Sequence, residues 1–244
     1  MKLPIGRVHD LLRRFGYEVI PFPADRLLRR SPDVLLDVGA NEGQFAQAFR
    51  QRGFEGRIVS FEPVPAVFER LTRAAEDDAR WEVRNQALGA DAGRLPIHVA
   101  NYDASSSLLP PAARMGEVAD FLSFQETAEV AVCRLDDVFD DVCRPGERVA
   151  MKVDTQGYES AVLAGAEGAL GRIDAVQLEL SFLPLYEGEP PAEVVMGWMR
   201  ERGFVPAYVA PAFVEKPSRQ WLQADVLFVR DKTGSAETGL AETS

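Results

Sequence analysis

Two cysteines and two histidines are all that the 244 residues contain. Cys133 and Cys143 form neither a C-x-x-C pair nor a disulfide framework, so reduced thiols in a cytoplasmic protein are expected. With His9 and His98 alone, a histidine-rich metal site is excluded. No apolar run approaches the length of a membrane span. The opening MKLPIGRVHDLLRRFGYEV has no uninterrupted apolar stretch, so a secretory signal is not expected. Basic residues are also short: 27 Lys and Arg face 38 Asp and Glu, a net charge of −11. That balance disfavours nucleic acid as a partner and a polybasic membrane anchor. Internal repeats are absent.

What is present reads as one globular α/β domain, with 46% hydrophobic and 27% charged residues. Residues 1–32 are expected to be an amphipathic helix, with Val8, Leu11, Leu12 and Phe15 at helical spacing, and a connection marked by Pro21 and Pro23. This helix offers a surface for a second copy of the chain. Residues 33–230 alternate strand and helix. Strands are expected at Val34 to Gly39, Arg57 to Glu62, Trp81 to Leu88, Leu95 to Ala100, Val149 to Asp154 and Ala175 to Leu180, with closing strands at Phe204 to Val209 and Ala224 to Val229. Helices are expected at Glu42 to Arg52, Pro65 to Glu76, Tyr158 to Leu170 and Ala192 to Arg202. Strands separated by helices imply a mostly parallel sheet covered on both faces. Residues 101–128 interrupt the rhythm without clear periodicity, as a substrate lid or loop does. Residues 231–244 are small, polar and expected to be disordered.

The chemistry begins at Asp37-Val38-Gly39-Ala40-Asn41-Glu42-Gly43, where a strand gives way to a helix. In doubly wound folds the carboxyl end of the first strand binds ligand. The dinucleotide pattern G-x-G-x-x-G does not fit, because Asn41 and Gln44 occupy its second and third glycine positions. Glu62 ends the second strand nineteen residues past Gly43, the placement of a carboxylate that binds both ribose hydroxyls of an adenosine. Lys152 and Asp154 lie two apart in a strand and therefore share a face. Charged residues in an otherwise buried strand are seldom there without partners, and Glu159 and Glu179 are the candidates. Two readings stand together: a buried ion-pair cluster, or Asp154 and Glu179 touching substrate or a metal with Lys152 tuning their charge. His98 is a further candidate near the mouth. Asp136 and Asp137 read as helix caps with a metal alternative, and Asp91 and Gly93 as a turn. Tyr158, Tyr186 and Trp221 are candidate aromatic walls.

Taken in order, DVGANEG, FEPVPAVFERL, VRNQALG, RLDDVF and MKVDTQGYESAVLAGA resemble the FkbM family of S-adenosylmethionine-dependent methyltransferases from Val34 to Leu180. The resemblance implies a class I methyltransferase fold: a Rossmann-like three-layer sandwich around a mostly parallel seven-stranded sheet with its last strand antiparallel. It implies O-methylation of a hydroxyl on a sugar or secondary metabolite, a small-molecule acceptor. It places Asp37, Gly39, Asn41 and Gly43 at the methionine part of the cofactor, Glu62 at the ribose, Pro63 beside the adenosine, and Asn85 with Ala87 at the adenine. An alcohol needs a general base or a divalent cation such as magnesium to react at neutral pH. Asp154 is the first candidate for either role, Glu179 and His98 follow, and Lys152 tunes the charge of the carboxylates. Three rivals are a catalytically silent cofactor-binding module, a nicotinamide oxidoreductase and a methyltransferase of protein or nucleic acid.

Overall fold

The computed structural model describes residues 23–101, 105–119 and 122–231. The expected N-terminal amphipathic helix and the polar tail past Asp231 lie outside them. Helix α1 spans Pro23–Leu28. It is followed by β1 (Val34–Val38), α2 (Gln44–Gln51), β2 (Arg57–Phe61), α3 (Pro65–Ala75) and β3 (Trp81–Arg84). Next come β4 (Ala87–Leu88), β5 (Gly93–Ala100), α4 (Ala113–Val118) and β6 (Phe124–Cys133). Then follow α5 (Leu135–Val142), β7 (Val149–Val153), α6 (Glu159–Ala164), a 3₁₀ turn at Ala169–Arg172 and β8 (Ile173–Ser181). Helix α7 (Ala192–Glu201), β9 (Phe204–Val214) and β10 (Trp221–Arg230) complete the described chain.

The main sheet has seven strands in the order β3-β2-β1-β7-β8-β10-β9. Strands β3, β2, β1, β7 and β8 are parallel, and β10 runs antiparallel to both of its neighbours. This is the α/β arrangement the resemblance implied: a mostly parallel seven-stranded sheet with its last strand reversed.

Alternation along each strand divides the core in two. In β1, Val34, Leu36 and Val38 join the cluster under α5, α6 and α7, which includes Leu135, Phe139, Val162, Val195 and Met199. Leu35 points the other way, among Leu27, Phe49 and Leu71 of α1, α2 and α3. Met151 and Ala150 of β7 divide the same way. On the α1–α3 face the apolar pattern gives out near the carboxyl ends of the strands. Asp37 pairs in register with Ser60 on one side and Lys152 on the other, and Lys152 pairs with Gln177. Glu179 stands opposite Asp225. A row of polar side chains thus crosses the sheet at one end, and every one of them needs a partner or a ligand.

Two segments depart from the sequence reading. The strand expected from Trp81 to Leu88 breaks at Asn85 and Gln86, and its last two residues leave the main sheet. They join a second sheet of order β4-β6-β5. The expected loop 101–128 carries α4 and the start of β6, which pairs antiparallel with β5. The second sheet packs Ile97 and Val130 against Val64 and Val67 at the start of α3. Ser107 and His98 exchange backbone hydrogen bonds at 2.8 and 3.1 Å, so residues 105–109 lie along β5.

Candidate active site

A cavity of about 400 Å³ opens over the carboxyl ends of β1, β2, β7 and β8. The turn after β1 forms its floor. Gly39 and Ala40 both donate to the Phe61 carbonyl, at 3.1 and 3.0 Å, which ties the turn to β2. Gly39 (φ +73) faces β7: a Cβ there would lie 2.0 Å from the Asp154 carbonyl oxygen. Gly43 (φ +87) lies behind the cavity, where a Cβ would meet the Trp81 ring at 2.7 Å. Both glycines let backbone and core close up around the site, and neither leaves its space to a ligand.

Glu62 lines the cavity at 6% exposure. Its Oε2 accepts the Asn41 amide at 3.0 Å and its Oε1 the Val64 amide at 2.8 Å. Each oxygen keeps a second lone pair for a hydroxyl. Burial pushes its carboxyl up to about 7, against the pull of those two amides. Asn85 lies behind this loop. Its Nδ2 donates to the Glu62 and Pro63 carbonyls at 2.9 and 3.1 Å, so it fixes the backbone of the two residues that face the cavity. Pro63, Val64, Ala87, Leu88, Ile97, Leu108 and Tyr158 make this end of the cavity apolar.

At the opposite end stands Lys152. Its Nζ lies 3.2 Å from Asp154 Oδ2, 3.7 Å from Asp37 Oδ1 and 3.5 Å from the Gly39 carbonyl. Burial works against its charge, but Asp154 and Asp37 outweigh it and hold the ammonium above its ordinary range. Asp37 is fully buried and does not line the cavity. Burial raises its pKa, with Lys152 opposing. Trp81 Nε1 donates to Ser60 Oγ at 2.9 Å, and Ser60 Oγ to Asp37 Oδ2 at 3.4 Å, a chain that anchors Asp37 beneath the turn.

Asp154 and Glu179 are joined by a residue the motif reading passed over. Gln156 (φ +56) donates from Nε2 to Asp154 Oδ1 and to Glu179 Oε2, both at 2.8 Å. Its Oε1 accepts the Tyr186 hydroxyl at 3.0 Å, and its carbonyl accepts Ser107 Oγ at 2.6 Å. Burial first, then Asp154, Asp225 and Glu159, push the Glu179 carboxyl well above its usual range. Glu159 turns away to accept the Thr155 amide at 2.7 Å and hydroxyl at 3.1 Å, and burial lifts it to about 8. Gln177 and Asp225 also line the cavity and were missed. The signal was there: each is a polar residue within an apolar strand run. Tyr186 is buried as a hydrogen-bonding strut, while Trp221 is 43% exposed and His98 lies outside the cavity lining.

Two tests of fit follow. Asn41 Oδ1 and Gln177 Oε1 are buried with no donor among the described residues, and both residues line the cavity. Unpaired buried acceptors call for ligand donors. Together with Glu62 and the apolar end, they suit a ligand that carries a cationic amine, vicinal hydroxyls and a flat base. A divalent cation fits poorly. The Lys152 ammonium, 3.2 Å from Asp154 Oδ2, would repel a second cation there, and among the described residues no group of three or more His, Cys, Asp or Glu is placed to hold a metal. No described helix is long and apolar enough to cross a membrane.

The sheet order, with its reversed seventh strand, and a cavity over the strand ends define a class I methyltransferase fold. The Methyltransferase FkbM domain matches residues 37–206, and the chain belongs to that family of S-adenosylmethionine-dependent methyltransferases. The 2-O-methyltransferase NoeI of Sinorhizobium fredii is 28% identical over 177 residues, covering 70% of this chain and 72% of its own. Methyltransferase sdnD of Sordaria araneosa is 30% identical over 159 residues, 56% of this chain and 61% of its own. Among solved structures, Aeropyrum pernix fibrillarin with natively bound S-adenosyl-L-methionine aligns at a TM-score of 0.48 and 13% identity, over 81% of this chain and 66% of that one.

Proposed function

We propose that this chain transfers a methyl group from S-adenosylmethionine to a hydroxyl of a small-molecule acceptor, a sugar or secondary metabolite, in the cytoplasm. The observation that carries this reading is one cavity with two unlike ends: Glu62 with apolar walls at one, and Asp154, Gln156 and Glu179 at the other. Glu62 would hold the ribose, and Asn41 and Gln177 would accept from the methionine amine. Bound there, the cofactor supplies an electrophilic methyl on a sulfonium, and the protein supplies position and electrostatics. Asp154 is the general base. It is one-third exposed at the cavity junction, with Lys152 Nζ at 3.2 Å to steady its charge. Gln156 fixes its rotamer. Glu179, biased toward its protonated form, is placed to donate to the acceptor oxygen.

The similarity to NoeI, a 2-O-methyltransferase, supports oxygen as the atom methylated. The unpaired Cys133 and Cys143, the latter raised to about 12 by burial, accord with a reducing compartment. The test is thermal unfolding of the purified protein with S-adenosylmethionine or with NAD, followed by mass spectrometry of hydroxylated acceptors. A melting shift with S-adenosylmethionine alone, and product heavier by one CH₂, are expected. A shift with NAD alone overturns the reading.

A further inference from the structure

A second cavity, of about 330 Å³, adjoins the first. The two share Asp154, Gln156 and Glu179, so they meet at the candidate base. Among the described residues, six of the others that line it are apolar: Met115, Ala119, Leu122, Leu185, Ala212 and Phe213. Two of its polar atoms have partners within the protein. Gln223 Nε2 donates to Ser181 Oγ at 3.2 Å, and the Ser105 carbonyl lies 3.1 Å from the Tyr186 hydroxyl, whose one proton it shares with Gln156 Oε1.

We infer that this second cavity is the acceptor chamber and that it takes an aliphatic alcohol with an apolar flank, its hydroxyl at Asp154 and Glu179 and its hydrocarbon body against Met115, Leu122, Leu185 and Phe213. The inference rests on the proposed reading of Asp154 and narrows its acceptor. A polyhydroxylated ring would bury further hydroxyls against carbon. Each one left without a partner weakens binding roughly tenfold to a hundredfold. An alkyl or alicyclic flank has nothing to leave unpaired and gains from every methylene removed from water. Three residues of this wall, Ala212, Phe213 and Gln223, lie beyond residues 37–206, where the family match ends.

The test is a binding series read with S-adenosylhomocysteine present. Primary alcohols from butanol to decanol, cyclohexanol and methyl glucoside are titrated by calorimetry. Affinity is expected to rise about threefold to fourfold per methylene until the chamber is full, the increment for burying a CH₂, with no measurable binding of methyl glucoside. Leu122→Asn should flatten the series. Ala212→Asn, on a different strand, is the second variant should the first fail to fold. Methyl glucoside binding as tightly as the alcohols, or a series that ignores chain length, overturns the inference. The two readings fail separately. Loss of the S-adenosylmethionine melting shift sinks the methyltransferase reading, while a normal shift with a flat alcohol series sinks only the chamber.

Discussion

Replacing Glu62 tests the cofactor end of the cavity at one atom group. In Glu62→Ala the two amides of Asn41 and Val64 lose their acceptor, at 3.0 and 2.8 Å in the native protein, while the chain is relieved of a buried carboxylate. These effects oppose, so the fold should persist. Cofactor binding loses hydrogen bonds to a charged group, about 1.5–3 kcal/mol, or roughly 10- to 100-fold in Kd. Glu62→Gln should also bind poorly, because its amide must turn an N–H toward one of two backbone N–H groups. The pH dependence sharpens the test. Burial raises Glu62 to about 7 in the ligand-free protein, and ribose hydroxyls favour the ionised form. Wild-type affinity should therefore fall about tenfold between pH 8 and pH 6. The cofactor's own amine titrates in that range, so calorimetry on Glu62→Ala supplies the baseline to subtract. Unchanged affinity in Glu62→Ala, or identical pH profiles for the two proteins, would refute the assignment.

Three further outcomes are expected. Asp154→Asn should leave cofactor affinity nearly constant and lower turnover by roughly 10²–10⁴-fold; full turnover on a true acceptor removes Asp154 from the chemistry. Gly43→Ala should cost about 1–3 kcal/mol of stability, read from the urea midpoint, because its Cβ would press on Trp81 at a positive φ; a midpoint equal to wild type contradicts the packing account. The ligand-free protein should lose stability as pH rises from 5 to 8.5. Glu62, Glu159 and Asp225 are raised by burial to about 7, 8 and 6, so the folded state binds protons more tightly than the unfolded one. At about 1.4 kcal/mol for each pH unit over which one of these groups titrates, a loss of several kcal/mol is expected, and a urea midpoint that climbs over this range defeats it.

The strand and helix rhythm was legible because each core strand is a short apolar run flanked by turn residues, and burial on both faces requires that pattern. The polar row was legible at Asp37, Lys152, Asp154 and Glu179 for the converse reason: a charge inside such a run stands out. Gln177 and Asp225 interrupt their strands in the same way, but neither is a charge inside a familiar motif. Gln156 was hidden differently. Its importance comes from a left-handed backbone and from Tyr186 and Ser107, which are distant in sequence. Strand β6 was obscured by its opening Gln125-Glu126-Thr127, since a strand on a small, half-exposed sheet needs few apolar residues. The roles of the glycines follow from what packs against them, and no local pattern shows that.

Strand β10 lies between β8 and β9, yet it is the last of the three to be synthesised. The β9–β10 hairpin is a local structure, whereas its seat on β8 joins residues more than forty positions apart. Such a hairpin forms early and docks late, because closing the longer loop costs more entropy. Its arrival does two things at once. It covers the open edge of the parallel sheet, and it brings Phe213 and Gln223 to the second cavity and Asp225 to the first. Until that docking step is complete, neither cavity has its full wall.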